Sequence, residues 1–368
     1  MSTASAGDAR YMRRALQLAR LGWGQVAPNP LVGAVVVRDD RIVGEGWHPW
    51  HGAPHAEPIA LAEAGTAARG ATLYVTLEPC NHEGLTPPCT DAILRAGITR
   101  VVYAVADPNP VAAGGAARLA DHGVEVVGGV LEADAAEVNA PFLFAARGAT
   151  RPWVTLKLAV SLDGAIADHT RRPGWLTGPA ARRAVHRLRA GADAIAVGLG
   201  TALADDPHLT VRHGHAARTP PRRVVFDRHA RLPLSSRLVR TIAEAPLWCV
   251  VDPQPQDEAE RARRTALEEA GVLLVPAADL PAALVALRAR DVRHLFVEGG
   301  AGLAGALVGT NQVDRLIMIQ APVVLGSGAL PAFAGLPPHN VAEGVRWRAI
   351  ARRALGEDLM TTYAVSEL

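Results

Sequence analysis

The order of elements in this 368-residue chain predicts an α/β protein of two domains, a three-layer α/β/α domain over residues 1–150 and a second α/β domain over residues 151–368. Three observations carry this. The length favours two domains over one. Residues 1–150 read in the order α-β-β-α-β-α-β-α-β, whose later strands join through right-handed crossovers into a sheet covered on both faces. The segment Arg147-Gly148-Ala149-Thr150-Arg151-Pro152 then breaks the pattern as a linker does.

Residues 8–22 carry Met12, Leu16, Ala19 and Leu21 between arginines, so an amphipathic helix opens the chain. Residues 24–30 are loop. Strands at 31–38 and 41–46 flank Asp39-Asp40, a hairpin signal. Residues 47–54 are loop and 56–64 helix. Strand 71–77, a cysteine-bearing loop, helix 90–96, strand 100–105, helix 115–122, strand 124–127 and a closing helix at 132–146 complete the first domain. In the second, strands are expected at 153–160, 193–198, 222–227, 246–251, 271–275, 293–297, 313–320 and near 358–366. Helices are expected at 178–190, 256–270, 279–289 and 301–309, and the Pro- and Arg-rich piece 213–223 is a surface loop.

Hydrophobic residues make up 49% of the chain, enough for sizeable cores, and no stretch is long or clean enough to span a membrane. The start, MSTASAGDAR, lacks the basic and apolar regions of a signal peptide. Three cysteines without framework spacing argue for a reducing compartment, so a cytoplasmic protein without membrane partners is expected. Residues 1–150 hold 11 Lys and Arg against 15 Asp and Glu, a net −4, and the remainder carries +6. A mildly basic second half suits an anionic small molecule, although so small an excess over that length is also consistent with no function. A nucleic-acid surface would show a dense basic stripe with interleaved aromatics, and aromatics are only 4%. Among 38 basic residues Lys157 is the one lysine, a position that arginine's planar fork does not fill.

Two of the three cysteines sit in the polar, proline-rich loop Leu77-Glu78-Pro79-Cys80-Asn81-His82-Glu83-Gly84-Leu85-Thr86-Pro87-Pro88-Cys89, where packing has little use for them. Upstream stands His55-Ala56-Glu57. His-x-Glu, then Pro-Cys, then Cys is the order of the zinc deaminases, in which the glutamate moves protons and does not bind metal. His55, Cys80 and Cys89 are therefore candidate ligands of one zinc ion per chain, with Glu57 as catalytic acid/base. His55 and Glu57 fall at one helix start and Cys89 at another, where the positive end of the dipole favours thiolate. A closed four-ligand knot with His82, His48 or His51 as fourth ligand is the alternative, and it would leave Glu57 idle. Eight residues separate the cysteines instead of the usual two, which points away from nucleic-acid editing.

Asn29-Pro30-Leu31-Val32-Gly33, His55-Ala56-Glu57, Glu78-Pro79-Cys80, Thr86-Pro87-Pro88-Cys89 and Asp107-Pro108-Asn109-Pro110 together resemble the bifunctional riboflavin-biosynthesis deaminase/reductase family, from about residue 8 to the end. The Thr-Pro-Pro-Cys wording and the eight-residue gap are the specific part. The resemblance implies a cytidine-deaminase-like first domain that removes the 2-amino group of a diaminopyrimidinone ribosyl phosphate, releasing ammonia. It also implies that Asn29 helps hold the substrate, although Asn before Pro equally marks a turn.

In the second domain, Thr155 to Gly164 alternates as a strand that ends in a polar turn. Lys157 lies inside it, where an unpaired charge is costly, so a partner such as Asp163 or a ligand phosphate is expected. Residues 300–305 satisfy G-x-G-x-x-G after a strand and at a helix start, suited to cradling a pyrophosphate. Gln320 stands where a Rossmann fold would place its acid, so a different dinucleotide fold is expected. Small residues packed close on a sheet would give the same pattern. The resemblance extends here and implies a dihydrofolate-reductase-like domain that uses NADPH to reduce the ribosyl group, in its open imine form, to ribityl. Carried over position by position, Trp175, Thr201, Asp205 and Gly300, Ala301, Gly302, Leu303, Ala304, Gly305 and Ala306 are cofactor contacts. Lys157, Arg189, Leu209, Arg212 and Glu298 are substrate contacts, with both arginines suited to phosphate. The proton donor is left open between Glu298 and Asp163. Pro173 and Arg228 depart from the family, which often has serine at the first position and serine or threonine at the second, and Arg228 suits the 2′-phosphate of NADP.

The expected whole is a homo-oligomeric enzyme for a pyrimidine ribosyl phosphate, with no nucleic acid. Its rivals are a nucleoside or nucleic-acid deaminase with a non-catalytic second domain, and a non-enzymatic zinc-organised binding protein.

Overall fold

The computed structural model describes residues 6–84, 86–172, 174–214 and 216–365, so Pro173 and the last residue of the strand expected near 358–366 lie outside the described residues. The chain divides into two compact units, Met1–Ala149 and Thr150–Leu368.

In the first unit α1 (Ala6–Ala19) precedes the hairpin β1 (Gly33–Arg38) and β2 (Arg41–Trp47). Then come α2 (Ala56–Ala64), β3 (Thr72–Leu77), α3 (Cys89–Ala96), β4 (Arg100–Val105), α4 (Gly115–Asp121), β5 (Glu125–Val127), α5 (Glu132–Val138) and α6 (Ala140–Ala146). The sheet order is β2-β1-β3-β4-β5, with β1 antiparallel to both neighbours and β3, β4 and β5 parallel. Strand alternation sends Val35 and Val37 to one face with Met12, Leu16 and Leu143, and Ala34 and Val36 to the other with Ala60, Leu61 and Ile93. Two cores on one sheet make the expected three layers.

The helix expected over 132–146 is two helices. Asn139 lies at the break, where it accepts from Leu31 N at 2.8 Å and donates to Leu31 O at 2.9 Å. Its side chain therefore serves a loop more than a hundred residues away. The opening helix ends in a 3-10 turn, Arg20–Gly22.

In the second unit β6 (Trp153–Val160), β7 (Ala165–Ala167), α7 (Pro179–Ala190), β8 (Ala194–Gly198), α8 (Leu199–Asp205), β9 (Arg222–Phe226) and α9 (Arg237–Arg240) come first. They are followed by β10 (Leu247–Val251), α10 (Glu258–Glu269), β11 (Leu273–Pro276), α11 (Leu280–Arg288), β12 (His294–Val297), α12 (Ala301–Gly309), β13 (Arg315–Gln320), β14 (Leu330–Pro331), β15 (Trp347–Leu355) and β16 (Asp358–Val365). Nine strands form one sheet in the order β11-β10-β9-β8-β12-β6-β13-β16-β15. Pairings from β11 to β13 are parallel, and the β15–β16 hairpin adds antiparallel strands at one edge. Leu284, Leu287 and Leu307 of α11 and α12 cover one face, and Ala181, Val185, Leu238 and Leu267 of α7, α9 and α10 cover the other. Aspartates cap α10 and α11, accepting from Glu260 N and Ala282 N.

Sequence reading overlooked β7, α8, α9, β14 and β15. Four of these are only two to seven residues long. β15 lies at the sheet edge with most of its residues half-exposed or exposed, so it carries no burial signature. Among the described residues no helix is long and apolar enough to cross a membrane.

Candidate functional site

Two glycines set the first site. A Cβ on Gly46 of β2 would lie 2.3 Å from Ala56 O, so α2 sits directly on the strand and its N-terminal end is fixed. His55 is the N-cap of α2 and Glu57 lies in its first turn. A Cβ on Gly115 would lie 1.8 Å from Pro79 O, so α4 closes on the chain one residue before Cys80. Glu78 holds this junction, accepting from Ala116 N at 2.9 Å and Asp107 N at 3.2 Å. Cys89 opens α3 after Pro88.

These constraints bring His55, Cys80 and Cys89 together, with ligand atoms all within 4.8 Å of one another. His55 Nδ1 lies 3.3 Å from Cys89 Sγ and 3.6 Å from Cys80 Sγ, and Cys89 N donates to Cys80 Sγ at 3.4 Å. The hydrogen bond with Cys89 lowers the Cys80 thiol to about 4, while the same bond and burial push Cys89 up. One shared negative charge between two sulfurs is what a divalent cation complements. No fourth His, Cys, Asp or Glu joins the cluster among the described residues. The set fits a catalytic zinc, for which three protein ligands are the rule, better than a closed knot.

Glu57 is 3% exposed and within hydrogen-bonding reach of Cys89. Burial pushes its carboxyl up to about 7, against the opposing charge of His55. His55, Glu57 and Cys80 line a cavity of about 320 Å³ with Asn29, His48, His82, Asp107 and Asn109. Asn29 Nδ2 lies 3.1 Å from His48 Nε2, and His48 Nδ1 donates to Pro54 O at 3.1 Å, which makes Nε2 the acceptor. Burial lowers His48 and keeps it neutral. Both its ring nitrogens are thus engaged, and it orients Asn29 in place of serving as a fourth ligand. Sequence reading gave His48 only the ligand alternative, because its link to Asn29 spans 19 residues.

The second site lies at the carboxyl ends of the parallel strands, where open α/β sheets bind ligands. A cavity of about 1160 Å³ is lined there by Gly198 at the end of β8, Thr201 and Asp205 of α8, Phe226 at the end of β9, Arg228 beyond it, Asp252 after β10, and Gly300 to Leu303 after β12. Gly300 caps α12, and a Cβ on it would lie 2.7 Å from Thr201 Oγ1. Bare backbone at a helix start beside a hydroxyl, in a cavity of that size, fits the pyrophosphate of NADPH. Trp175 and Ala306 also line it, with Arg182 stacked 4.9 Å from the Trp175 ring centroid. Ala304 and Gly305 do not line it. Ala304 is buried in the core, and Gly305 faces Ala334, whose oxygen a Cβ would approach to 1.9 Å.

Substrate-side expectations converge on Glu298. Arg189 Nε lies 2.5 Å and Lys157 Nζ 3.8 Å from its carboxylate. Burial pushes Glu298 up, but Arg189 and Lys157 outweigh it and hold the carboxyl at about 2. Burial lowers the Lys157 ammonium, with Glu298 opposing. Arg189 also donates to Thr210 O and Arg212 to Thr210 Oγ1, each at 2.9 Å. Burial and these two guanidiniums lower His186 to about 4, so it accepts from Arg212 N as a neutral ring. Two arginines on one threonine have the chemistry that suits an anion. The Leu209 side chain is instead buried with Val185 and Leu199. Asp163 accepts from Ser161 Oγ, Gly326 N and Leu325 N, and these bonds hold it at about 2. Both acids left open as donors are therefore carboxylates at neutral pH, which favours neither.

The model of the cytidine and deoxycytidylate deaminase zinc-binding region matches residues 5–105, and that of the RibD C-terminal domain matches residues 152–361. Riboflavin biosynthesis protein RibD of Aquifex aeolicus is 41% identical over 354 residues, covering 96% of this chain and 97% of that protein. Its counterpart in Escherichia coli is 43% identical over 368 residues, covering 96% and 98%. Among solved structures, Acinetobacter baumannii RibD superposes with a TM-score of 0.85 at 35% identity, covering 98% of this chain and 99% of that one. The Thermotoga maritima diaminohydroxyphosphoribosylaminopyrimidine deaminase/5-amino-6-(5-phosphoribosylamino)uracil reductase gives 0.84 at 34% identity, with the same coverage. The chain therefore belongs to the RibD family of bifunctional riboflavin-biosynthesis enzymes, which join a zinc-binding deaminase domain to an NADPH-using reductase domain.

Proposed function

We propose that residues 1–150 deaminate 2,5-diamino-6-ribosylamino-4(3H)-pyrimidinone 5′-phosphate, and that residues 151–368 then reduce the ribosyl chain to give 5-amino-6-ribitylaminouracil 5′-phosphate. The observation that carries this is the buried Glu57 carboxyl beside the His55, Cys80 and Cys89 cluster, with Glu57, His55 and Cys80 lining a small cavity. When bound, zinc brings the pKa of a water close to neutrality. Glu57, pushed up to about 7, accepts the two protons of the attacking water one after the other, passing the first to the ring nitrogen and the second to the departing amine, which leaves as ammonia while the water oxygen becomes the carbonyl. Asn29, oriented by His48, holds the pyrimidine.

In the second site NADPH supplies the hydride. The α12 start and Thr201 hold its pyrophosphate, and Arg189 and Arg212 hold the substrate phosphate. With Glu298 ionised, Lys157 is the proton source, because burial weakens its hold on the proton while Glu298 keeps it in place. Lys157→Gln should abolish NADPH oxidation and leave ammonia release intact; wild-type oxidation in that variant would remove Lys157 from the role.

We infer that the enzyme works in the cytoplasm, a reading supported by three unpaired cysteines, two of them in the metal cluster, and that it acts on this small molecule, without nucleic acid, as a homo-oligomer. Light scattering of the purified chain at monomer mass would contradict the oligomer. The function itself is tested by supplying the diaminopyrimidinone phosphate with and without NADPH. Ammonia release in both conditions and NADPH loss only after deamination are expected; ammonia release with no NADPH loss would point to a deaminase with a non-catalytic second domain.

A further inference from the structure

The large cavity has two chemically different ends. Glu298, one residue past β12, and Lys157 on the adjacent β6 do not line the cavity, but Glu298 stands two residues before Gly300 at the α12 start, which does, so the reacting end is taken on the β6 side of that start. Successive strands on the other side of β12 are β8, β9 and β10. At strand spacing, β9 and β10 lie about 10 and 14 Å from β12. A dinucleotide with its pyrophosphate on α12 and its nicotinamide at the reacting end therefore places its adenosine over β9 and β10. The lining changes accordingly: Phe226, Val250, Val251, Ala277 and Ala283 form an apolar slot suited to a base.

At the rim of that slot stand Arg228 and Asp252. Arg228 Nε and Nη2 donate to Asp252 Oδ1 and Oδ2 at 2.9 and 3.3 Å, and Asp252 N donates to Arg228 O at 2.9 Å. The guanidinium is 72% exposed and the carboxylate 16%. We propose that this pair selects the 2′-phosphorylated adenosine of NADPH over NADH, resting on the reading of residues 151–368 as the reductase. A bare carboxylate at this place would accept from a ribose 2′-hydroxyl and repel a 2′-phosphate. Arg228 covers that carboxylate, and its exposed guanidinium can donate to the phosphate while remaining against Asp252. Asp252 also has His229 at 3.9 Å, and that ring faces Glu260 at 3.5 Å, so among the described residues Arg228 is the arginine or lysine paired with Asp252.

Equilibrium binding separates this from catalysis. Calorimetry on the full chain with 2′,5′-ADP and 5′-AMP should show wild type preferring 2′,5′-ADP. Arg228→Ser should weaken 2′,5′-ADP by about tenfold to hundredfold, the worth of one charge-assisted contact, with 5′-AMP unchanged. The Arg228→Ser/Asp252→Asn double variant should regain part of the loss, and NADPH over NADH kcat/KM ratios should follow the same order. An unchanged 2′,5′-ADP to 5′-AMP ratio in Arg228→Ser overturns the inference, as does a loss found instead in Arg171→Ser or Arg172→Ser, the other arginines lining the cavity. Failure of wild type to bind either nucleotide would overturn the reductase reading itself, and this inference with it.

Discussion

Arg189 Nε stands 2.5 Å from Glu298 Oε1, across 109 residues of sequence, and Lys157 Nζ approaches the same carboxylate at 3.8 Å. The three side chains are only 11 to 15% exposed. Glu298 titrates near 4.5 when free and at about 2 in the fold. Between those values the unfolded chain binds more protons, so stability rises with pH through this window. The contribution of the pair is full above about 4.5 and is lost as pH falls toward about 2. Urea midpoints measured across acid pH should fall for wild type, whereas Glu298→Gln should lack this part of the slope and be less stable at neutral pH by about 3 kcal/mol. Parallel profiles for the two proteins would contradict the coupling.

Asn139 bridges the break between α5 and α6 to both polar groups of Leu31, two residues after Asn29. Asn139→Ala leaves a buried N–H and C=O without this partner, which should cost about 2 kcal/mol. Loosening the loop should also raise KM for deamination more than it lowers kcat. A variant with unaltered KM would show that the loop is held by other contacts.

Gly115 touches Pro79 O, and Pro79 leads into Cys80. Gly115→Ala must push α4 or the ligand loop aside, so zinc affinity in a chelator competition should drop by about tenfold, the usual effect of disturbing the support of a metal ligand. Wild-type affinity with wild-type circular dichroism would mean the junction yields elsewhere.

Much of the fold was legible locally. Helix α2 and strand β4 run over the residues expected from periodicity, since both carry apolar spacing that their burial then uses. Strand order was not legible, because no local pattern tells β12 to insert between β6 and β8. The metal cluster was readable because each ligand sits beside a proline or a helix start whose chemistry is local. His48, Asn139 and the Arg189–Glu298 pair gain their meaning from partners 19, 108 and 109 residues away, and spacing alone does not carry that information. The proton donor stayed open in the sequence for a related reason: the charges that hold Glu298 ionised come from a different helix and a different strand.

Glu57 is the residue on which the deaminase assignment turns, being buried, raised to about 7 and two positions from His55. The most direct measurement is ammonia release by Glu57→Gln with zinc content determined on the same sample. One zinc per chain retained and release reduced by about a thousandfold are expected, the scale of losing a positioned acid/base. Zinc retained with wild-type release would contradict the assignment of Glu57.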